Sequence, residues 1–374
     1  MADRLRIALL EPYYTGSHER WAKDLIKYSR HSIQLFSLPG RFWKWRMEAS
    51  AIELANQLND STESYDILLC SDMMDLSLFK SLLHSEHSGT PIIYYLHENQ
   101  LNYPRSSMDR EYERSEAHYG FINYKSCLVA DYCAFNSQWH LSHFIGALES
   151  LFVKLPDYQP FDSISSIQNK SAILPIPMPI SELESIEKDP TLQSDIPVLL
   201  WNHRWEYDKQ PEVFIELCDK LSESHKSFKI NFLGQHHKSS TQAIDNFKSR
   251  HADRILHFGY VHNYVKYVQI MKASHILPVT AIHDFFGISV MEAIACDVIP
   301  VLPRGMVYED HYKQLPESCF HSDFQSLYDN TVLHMEAIKK ASSSDSLSQD
   351  LSSYDVQSIL SQYDSYFEDI KKER

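Results

Sequence analysis

The sequence lacks the features that mark several classes of protein. It has no run of about eighteen or more apolar residues, so no segment is expected to span a membrane. Its first residues, MADRLRIALLEPYY, lack the apolar core and small-residue cleavage site of a signal peptide. Its cysteines are scattered and form no C-x-x-C pair, which favours buried free thiols in a reducing compartment. These absences predict a cytoplasmic protein with no membrane partner.

Several catalytic motifs are also missing. The patterns G-x-G-x-x-G and G-x-x-x-x-G-K-[ST] do not occur, which argues against dehydrogenases and P-loop nucleotidases. No Asp-x-Asp is present to anchor a metal–diphosphate complex, and no H-E-x-x-H is present to hold zinc. We therefore expect neither a metal nor a resident cofactor.

What is present is the length and composition of a two-domain globular protein. The chain has 374 residues, of which 43% are hydrophobic and 23% charged, and a chain of this size usually forms two cores. The formal net charge of -15 argues against a protein that grips nucleic acid over its whole surface. It leaves room for a local basic patch.

Short apolar runs alternate with longer amphipathic stretches, as in βαβ units with a parallel sheet. Strands are predicted at 6–12, 32–39, 65–72, 91–99, 131–137, 197–205, 228–234, 255–261, 275–280 and 298–303. The segment AILPIPMPI (172–180) contains three prolines and is predicted to be a stiff linker. The predicted class is α/β, with two Rossmann-like domains, 1–178 and 179–353, facing each other across a cleft. A helix at about 354–374 is expected to pack back on the first domain.

The strongest candidate site is the segment HDFFGISVMEAIACDVIPVLP (283–303). Gly287 lies where a loop turns into a helix, and the amides of Ile288 and Ser289 are suited to a diphosphate. Asp284 precedes the helix and Glu292 lies on its second turn, so both carboxylates can accept hydrogen bonds from sugar or ribose hydroxyls. The alternative is a capping acid and a solvated helix glutamate.

A second candidate is NHRWEYDK (202–209), which follows a predicted buried strand. Arg204 and Lys209 lie on either side of a turn, and two cations at a strand end suit a diphosphate leaving group. They would neutralise the negative charge that grows as the glycosidic bond breaks. The alternative is a surface pair balanced by Glu206 and Asp208.

Two polar loops follow predicted strands of the first domain. One loop begins with the cluster H-E-N-Q at the end of an apolar strand, where polar groups are costly unless they face a site. The alternative interpretation is a hydrogen-bonded core histidine. The other, TGSH (15–18), resembles a loop where backbone approaches a ligand, and the alternative is a plain turn. The candidate residues are His97, Asn99 and Gln100 in the first loop and Gly16, Ser17 and His18 in the second.

The segment RFWKWR (41–46) alternates basic with aromatic residues, as stacking contacts to nucleic acid do. Its Arg41, Lys44 and Arg46 are candidate contacts to a nucleic acid. The alternative is a loop packed by its tryptophans.

The donor-side residues resemble a known family. Arg204, Lys209 and the spacing Asp284-x7-Glu292 around F-F-G-I resemble the donor site of retaining GT-B glycosyltransferases of the GT4 family. In that family an E-x7-E motif binds the sugar and ribose, and an Arg/Lys pair binds the diphosphate. This sequence departs from the pattern by carrying Asp at the first acidic position, which shortens that side chain by one methylene. The resemblance implies a GT-B fold.

Longer stretches are similar to the tRNA-queuosine α-mannosyltransferase family. They include EPYYTGSH, WKWR, YLHENQLNYP and HRWEYDKQPE, and the landmarks run from residue 11 to about 308. The resemblance implies a hexosyltransferase with GDP-mannose as donor and the cyclopentenediol of queuosine in tRNA-Asp as acceptor. It also implies retention of configuration without a metal.

The resemblance implies roles for the candidate residues. The diphosphate would lie against Arg204, Lys209 and the amides of 287–289, with Glu292 on the ribose and Asp284 on the mannose. His97 would stabilise the oxocarbenium-like charge, with TGSH, Asn99 and Gln100 near the acceptor and the 41–46 segment on tRNA. Alanine at Arg204 or Lys209 is expected to reduce turnover sharply and to leave the fold intact.

Two other functions stay open at this point. The first is a GT-B glycosyltransferase with a lipid, glycan or small-metabolite acceptor, which the acidic net charge favours because tRNA binding normally needs phosphate-neutralising bases. The second is a sugar-nucleotide epimerase or a non-catalytic binding protein of the same fold. No pattern predicts the oligomeric state.

Overall fold

The computed structural model describes residues 4–104, 112–234, 241–340 and 349–373. The strands are β1 (Arg6–Tyr14), β2 (Ser32–Pro39), β3 (Ile67–Ser71), β4 (Ile92–Leu96), β5 (Tyr132–Phe135), β6 (Ser171–Ile173), β7 (Val198–Trp201), β8 (Lys229–Leu233), β9 (Ile255–Gly259), β10 (Ile276–Pro278), β11 (Ile299–Pro303) and β12 (Phe320–His321). The helices are α1 (Gly16–Tyr28), α2 (Trp43–Asn59), α3 (Leu76–Leu82), α4 (Ser85–Ser88), α5 (Tyr112–Val129), α6 (Gln138–Phe152), α7 (Asp162–Asn169), α8 (Ile180–Ser185), α9 (Pro211–Glu223), α10 (Thr241–Arg250), α11 (Tyr264–Lys272), α12 (Ile288–Ala295), α13 (Tyr308–His311), α14 (Phe324–Lys340) and α15 (Val356–Lys372). Within the described ranges, no helix is both long and apolar enough to cross a membrane.

The chain divides into two compact units, each built on one parallel sheet. Unit 1 runs to Pro177 and includes the chain again from Ser353, and unit 2 spans Met178–Ser352. The strand order is β2-β1-β3-β4-β5-β6 in unit 1 and β12-β11-β10-β7-β8-β9 in unit 2. Each order reverses direction once, between β1 and β3 and between β7 and β10, and ligands of open α/β sheets bind outside the strand ends at such a point.

The unit 1 sheet is covered on both faces, because its apolar strands supply side chains to both. Alternate residues of a strand point to opposite faces. One core contains Ala8, Leu10, Leu68, Cys70, Ile92 and Tyr94, and the other contains Ile7, Leu9, Ile67, Leu69, Ile93 and Tyr95. The near-continuous apolar runs of the sequence are therefore typical of buried parallel strands.

The last helix belongs to the core of unit 1. Helix α15 begins at the N-cap Asp355, whose carboxylate accepts a hydrogen bond from the amide of Gln357. Its buried Tyr363 accepts a hydrogen bond from Trp21 Nε1 at 3.1 Å and donates one to the carbonyl of Leu174 at 3.2 Å. The helix thus closes the sheet face that α1 also covers.

Several elements differ from the sequence-based expectations. Strand β4 ends at Leu96, so His97 lies in the following loop rather than inside the predicted strand 91–99. The predicted linker 172–180 starts inside β6. Helices α11 and α14 and the two-residue strand β12 had no prediction. All six cysteines are buried free thiols.

Candidate functional site

In unit 2, the two predicted donor motifs lie at one edge of the sheet. Loop 202–210 follows β7 and loop 279–287 follows β10, and these strands are parallel neighbours. Their carboxyl ends flank the point where the strand order reverses. The polar side chains of both loops are therefore brought together, although they are distant in sequence.

Lys209 and Asp284 form a buried ion pair there. Lys209 is 8% exposed, and its Nζ lies 3.3 Å from the Asp284 carboxylate, 3.1 Å from the Asp208 carboxylate and 3.0 Å from the carbonyl oxygen of His283. Burial would lower the pKa of Lys209, but the charges of Asp284 and Asp208 raise it above its ordinary value. Burial would raise the pKa of Asp284, but Lys209 and the hydroxyl of Tyr308 lower it. Both groups therefore stay charged.

This burial corrects the expectation that alanine at Lys209 leaves the fold intact. Removing the ammonium would leave the carboxylates of Asp208 and Asp284 without their shared cation in a buried position, which is strongly destabilising. Arg204 differs, because its guanidinium is exposed and pairs with Glu206 at 3.3 Å. The surface-pair alternative thus describes Arg204 but not Lys209.

Gly287 is required for two reasons at the start of α12. Its φ is +78°, the left-handed region that favours glycine, and a Cβ there would lie 2.7 Å from Cε1 of Tyr308. The hydroxyl of Tyr308 in turn donates to Asp284 at 2.7 Å. The N-cap residue, Gly287, has no side chain to cap this helix, and its amide end, with Ile288 and Ser289 half-buried beside it, is suited to an anion.

Glu292 is held by a hydrogen-bonded chain. The hydroxyl of Tyr267 donates to the Glu292 carboxylate at 3.0 Å, and Asn202 Nδ2 donates to that hydroxyl at 3.4 Å and to the carbonyl of Ser289 at 2.7 Å. The chain ties the end of β7 to α12 and orients the second acidic residue of the motif.

His203 is a buried site residue that the sequence did not single out. Its Nδ1 lies 2.9 Å from the hydroxyl of Ser289, and its Nε2 has no hydrogen-bond partner among the described residues. Burial, followed by the charge of Lys209, lowers the pKa of His203 to about 4, so the ring is neutral. The position of His203 between a predicted buried strand and Arg204 could have identified it as a site residue. Tyr267 and Tyr308 had none, because they reach the site only through the fold.

In unit 1, Glu11 is the centre of a polar network where β1, β3 and β4 end. It is fully buried, and its carboxylate accepts hydrogen bonds from Ser71 Oγ at 2.9 Å and the amide of Tyr13 at 2.8 Å. Nδ1 of His18 lies 3.2 and 3.3 Å from its two oxygens. The sequence analysis missed Glu11, although a single acid in a buried apolar strand is itself a signal.

His18 and His97 are neighbouring rings, tilted by 40° to each other, with opposite protonation. Their ring centroids are 4.1 Å apart, and Trp21 and Tyr95 enclose His97 at 4.6 and 4.7 Å. Burial would lower the pKa of His18, but the Glu11 carboxylate raises it to about 9. Burial and the charge of His18 hold the pKa of His97 well below its ordinary range. His97 is therefore a neutral imidazole, whose Nε2 has no hydrogen-bond partner within the described ranges.

Asn99 and Gln100 shape the loop after β4. Asn99 Oδ1 accepts hydrogen bonds from the amides of Leu101 and Asn102 at 3.1 and 3.0 Å, and Gln100 Nε2 donates to Glu98 at 2.9 Å. Both side chains are buried. Asn99 Nδ2 has no hydrogen-bond partner in the part of the chain that the structure describes.

The loop TGSH leads from β1 into α1. Gly16 begins the helix with φ +54°, and Gly16 and Ser17 are exposed while His18 is buried against Glu11. The loop therefore presents small residues outward and its histidine inward.

Glu11, His18 and His97 also form a group that could hold a metal ion. One ligand atom from each lies within 4.8 Å of the others, and a carboxylate with two imidazoles is a set that zinc accepts. A metal would have to displace the proton that Glu11 holds on His18.

The segment 41–46 divides into inward and outward residues. Arg46 is 9% exposed and donates from Nε to the carbonyl of Pro39 at 3.2 Å. It is thus a structural contact, contrary to the expectation of a surface charge. Arg41 is exposed and Lys44 is half-buried.

Comparison with known proteins relates both units to glycosyltransferases. The family described as tRNA-queuosine alpha-mannosyltransferase N-terminal matches residues 6–178, and Glycosyl transferases group 1 matches residues 183–308. A Drosophila melanogaster protein named tRNA-queuosine alpha-mannosyltransferase is 30% identical over 313 residues, which cover 82% of this chain and 81% of that protein.

Solved structures are similar in fold. Anabaena HepE in complex with UDP-glucose has a TM-score of 0.67 at 15% identity and covers 98% of this chain and 100% of its own. A glycosyltransferase from Rickettsia africae has a TM-score of 0.63 at 12% identity, with both chains covered completely. The GT-B fold expected from the sequence is confirmed, with its two parallel six-stranded sheets.

Proposed function

Because the chain belongs to the tRNA-queuosine alpha-mannosyltransferase family, we propose that it transfers mannose from GDP-mannose to queuosine in tRNA-Asp. The bond between mannose C1 and the β-phosphate oxygen breaks, and a bond forms from C1 to a hydroxyl of the cyclopentenediol with retention of configuration. GDP takes the electron pair of the broken bond, and the acceptor hydroxyl passes its proton to the departing β-phosphate oxygen.

The observation that carries the donor assignment is the buried Lys209–Asp284 pair beside the amide end of α12. The fixed charge of Lys209, the exposed charge of Arg204 and the amides of Gly287 to Ser289 suit the diphosphate of the leaving group. We propose a metal-independent reaction, as the family resemblance implies.

The two acids receive different substrate groups in this proposal. Both Lys209 and Tyr308 contact Oδ2 of Asp284, so we assign Oδ1 to the mannose hydroxyls. Glu292, oriented by Tyr267, accepts hydrogen bonds from the ribose. Ionised carboxylates make charge-assisted hydrogen bonds to such hydroxyls.

We assign the acceptor to the unit 1 network. His97 keeps the catalytic role that the family resemblance implies, since its neutral Nε2 offers a lone pair to positive charge on the sugar. Asn99 Nδ2 is a buried donor for an acceptor oxygen, and Gly16, Ser17 and Gln100 border it. Arg41 and Lys44 are proposed tRNA contacts. The six buried thiols support a cytoplasmic location.

Mass spectrometry of nucleosides tests the proposal. Queuosine-containing tRNA-Asp is incubated with the protein and, separately, GDP-mannose, GDP-glucose, UDP-glucose or UDP-galactose. We expect a hexose on queuosine with GDP-mannose alone. Transfer from a UDP-sugar would contradict the donor assignment, and conversion of GDP-mannose to another GDP-hexose without transfer would identify an epimerase.

A further inference from the structure

Two aromatic rings stand exposed where β2 leads into α2. The rings of Phe42 and Trp45 belong to residues that are 74% and 62% exposed. Trp43, between them, instead packs against Tyr119 at 5.2 Å and joins an apolar cluster with Met47. The helix therefore anchors one aromatic residue of the segment and turns the other two outward.

The backbone at Phe42 adds to this. Phe42 is the N-cap of α2 with φ 55° and ψ 57°, in the left-handed region that glycine adopts at no steric cost. A bulky residue in this conformation is strained, and its exposed ring has little packing to offset the strain. The fold alone does not explain a phenylalanine at this position.

The rings lie beside the loop assigned to the acceptor. The amide of Gly40 donates to the carbonyl of Tyr14 at 3.2 Å, and any side chain at Gly40 would collide with Thr15. The chain at Gly40, two residues before Phe42, is thus packed against Thr15 of TGSH, the loop that carries His18. A macromolecular acceptor bound at this loop is brought to the segment that carries the two rings.

The local charge suits a polyanion. The chain has 50 acidic and 35 basic residues, yet no Asp or Glu occurs from position 25 to 47. The Arg41 guanidinium lies 5.9 Å from the Phe42 ring and Lys44 Nζ lies 5.8 Å from the Trp43 ring. Exposed rings interleaved with cations are what single-stranded nucleic acid requires.

We propose that Phe42 and Trp45 form a stacking platform for unpaired bases of the tRNA that neighbour the acceptor nucleoside. The proposal rests on the proposed function and adds to it the surface that holds the RNA. Phosphates next to the stacked bases lie against Arg41 and Lys44. Each base is held by its flat face, so the platform tolerates different bases.

Phe42→Gly and Trp45→Ala test the platform, with Tyr158→Ala as control because Tyr158 is also an exposed aromatic residue of unit 1, 76% exposed. Dissociation constants for queuosine-containing tRNA are measured at several salt concentrations. We expect each platform variant to bind about 5-fold or more weakly, the loss of one stacked base, with an unchanged salt slope. Arg41→Ala is expected to lower the slope by about 0.7, the loss of one phosphate contact. Tyr158→Ala is expected to bind like the wild type.

Thermal unfolding separates stacking from a structural role. Phe42→Gly relieves the left-handed strain and is expected to unfold at or above the wild-type temperature while binding tRNA more weakly. Equal tRNA affinity for both platform variants and the wild type would overturn the platform, whereas failure of the wild type to mannosylate queuosine would overturn the proposed function. Sedimentation analysis tests whether Phe42 and Trp45 instead contact a second copy of the chain. If the wild type is a dimer that these substitutions dissociate while tRNA affinity is unchanged, the platform is also overturned.

Discussion

The two units each bury one oppositely charged pair at the carboxyl ends of their strands, and the pairs differ in how they respond to protons. In unit 2, Lys209 and Asp284 shift each other's pKa outward, so the pair stays ionised through the physiological range. In unit 1, the pKa of His18 is raised by Glu11 to about 9, so this cation is lost in alkaline solution. The cation of the unit 2 pair, Lys209, thus keeps its charge, whereas the cation of the unit 1 pair, His18, loses its proton in alkaline solution.

The difference comes from the side chains. A lysine already has an ordinary pKa above 10, whereas a histidine starts near 6.5. The proposed diphosphate site calls for a cation that does not titrate, and in that proposal Lys209 is this cation. The histidine pair instead keeps one ring protonated and the neighbouring ring neutral, which is the arrangement that suits proton-sensitive chemistry.

Substitution of Lys209 gives the largest expected effect. Lys209→Met leaves the carboxylates of Asp208 and Asp284 buried without their cation, and we expect the free energy of unfolding to fall by about 3–5 kcal/mol. The catalytic efficiency of mannosyl transfer is expected to fall by about 100-fold or more, because the leaving group loses a fixed charge. Urea unfolding and steady-state kinetics measure the two quantities.

The matched control is Arg204→Met, which removes an exposed cation from the same motif. We expect reduced turnover with unfolding within about 0.5 kcal/mol of the wild type. The double variant Lys209→Met with Asp284→Asn is expected to regain part of the stability and none of the activity. If the free energy of unfolding of Lys209→Met were equal to that of the wild type, Lys209 would not stabilise unit 2 by compensating Asp208 and Asp284.

The second prediction concerns the pH dependence of His18. The folded pKa is about 9, above the ordinary 6.5, so its stabilisation is fully present below about 6.5 and is lost as pH rises through 9. The unfolding free energy of the wild type minus that of His18→Gln should therefore shrink by on the order of 3 kcal/mol between pH 6.5 and about 9.5. Urea unfolding across this range measures it.

His97→Gln provides the comparison within the same pair of rings. Since His97 is neutral, its difference from the wild type should stay constant over the alkaline window. The charges of Asp72 and Glu98 also act on His18, so the series is repeated with Asp72→Asn in every protein. If the difference in unfolding free energy between the wild type and His18→Gln did not change with pH, His18 would not lose a proton in this range.

The smallest effect is expected from metal removal. We propose that His18 holds a proton rather than a metal, so dialysis against EDTA should change turnover by less than about twofold. Added zinc should inhibit more strongly above pH 9 than at pH 7, because there it no longer competes with the proton on His18. If one equivalent of zinc co-purified with the wild type and was absent from His18→Gln, His18 would bind a metal rather than a proton, and this would contradict the proposal.

Much of the fold was predictable because buried parallel strands are short apolar runs. The run YDILLCSD contains β3 and the run VIPVLP contains β11. These strands can be recognised from the local sequence without knowledge of their contacts in the fold. Strand β12 has only two residues and carries no periodicity. Helix α14 buries a narrow stripe that depends on the sheet it covers, so its pattern alone was weak.

The site was predictable where a motif is local and hidden where it is assembled by the fold. The fragment around Gly287 could be recognised from the sequence, but its need for Tyr308 as a neighbour could not. The network around Glu11 joins three strand ends, and its bond to Ser71 spans 60 residues. The phase of α2 decides which residues of RFWKWR face inward: Trp43 and Arg46 lie three positions apart, on the side of the helix that also buries Met47.

The contribution of α15 to unit 1 has a consequence for the order in which the protein folds during synthesis. The apolar cluster that contains Trp21 of α1 is completed by Tyr363 and Phe367, which are synthesised after residues 178–352 of unit 2. Unit 2, encoded in between, has all its strands synthesised first. The sheet of unit 1 therefore has an incompletely covered apolar face while unit 2 is synthesised, and exposed apolar surface of this kind favours aggregation.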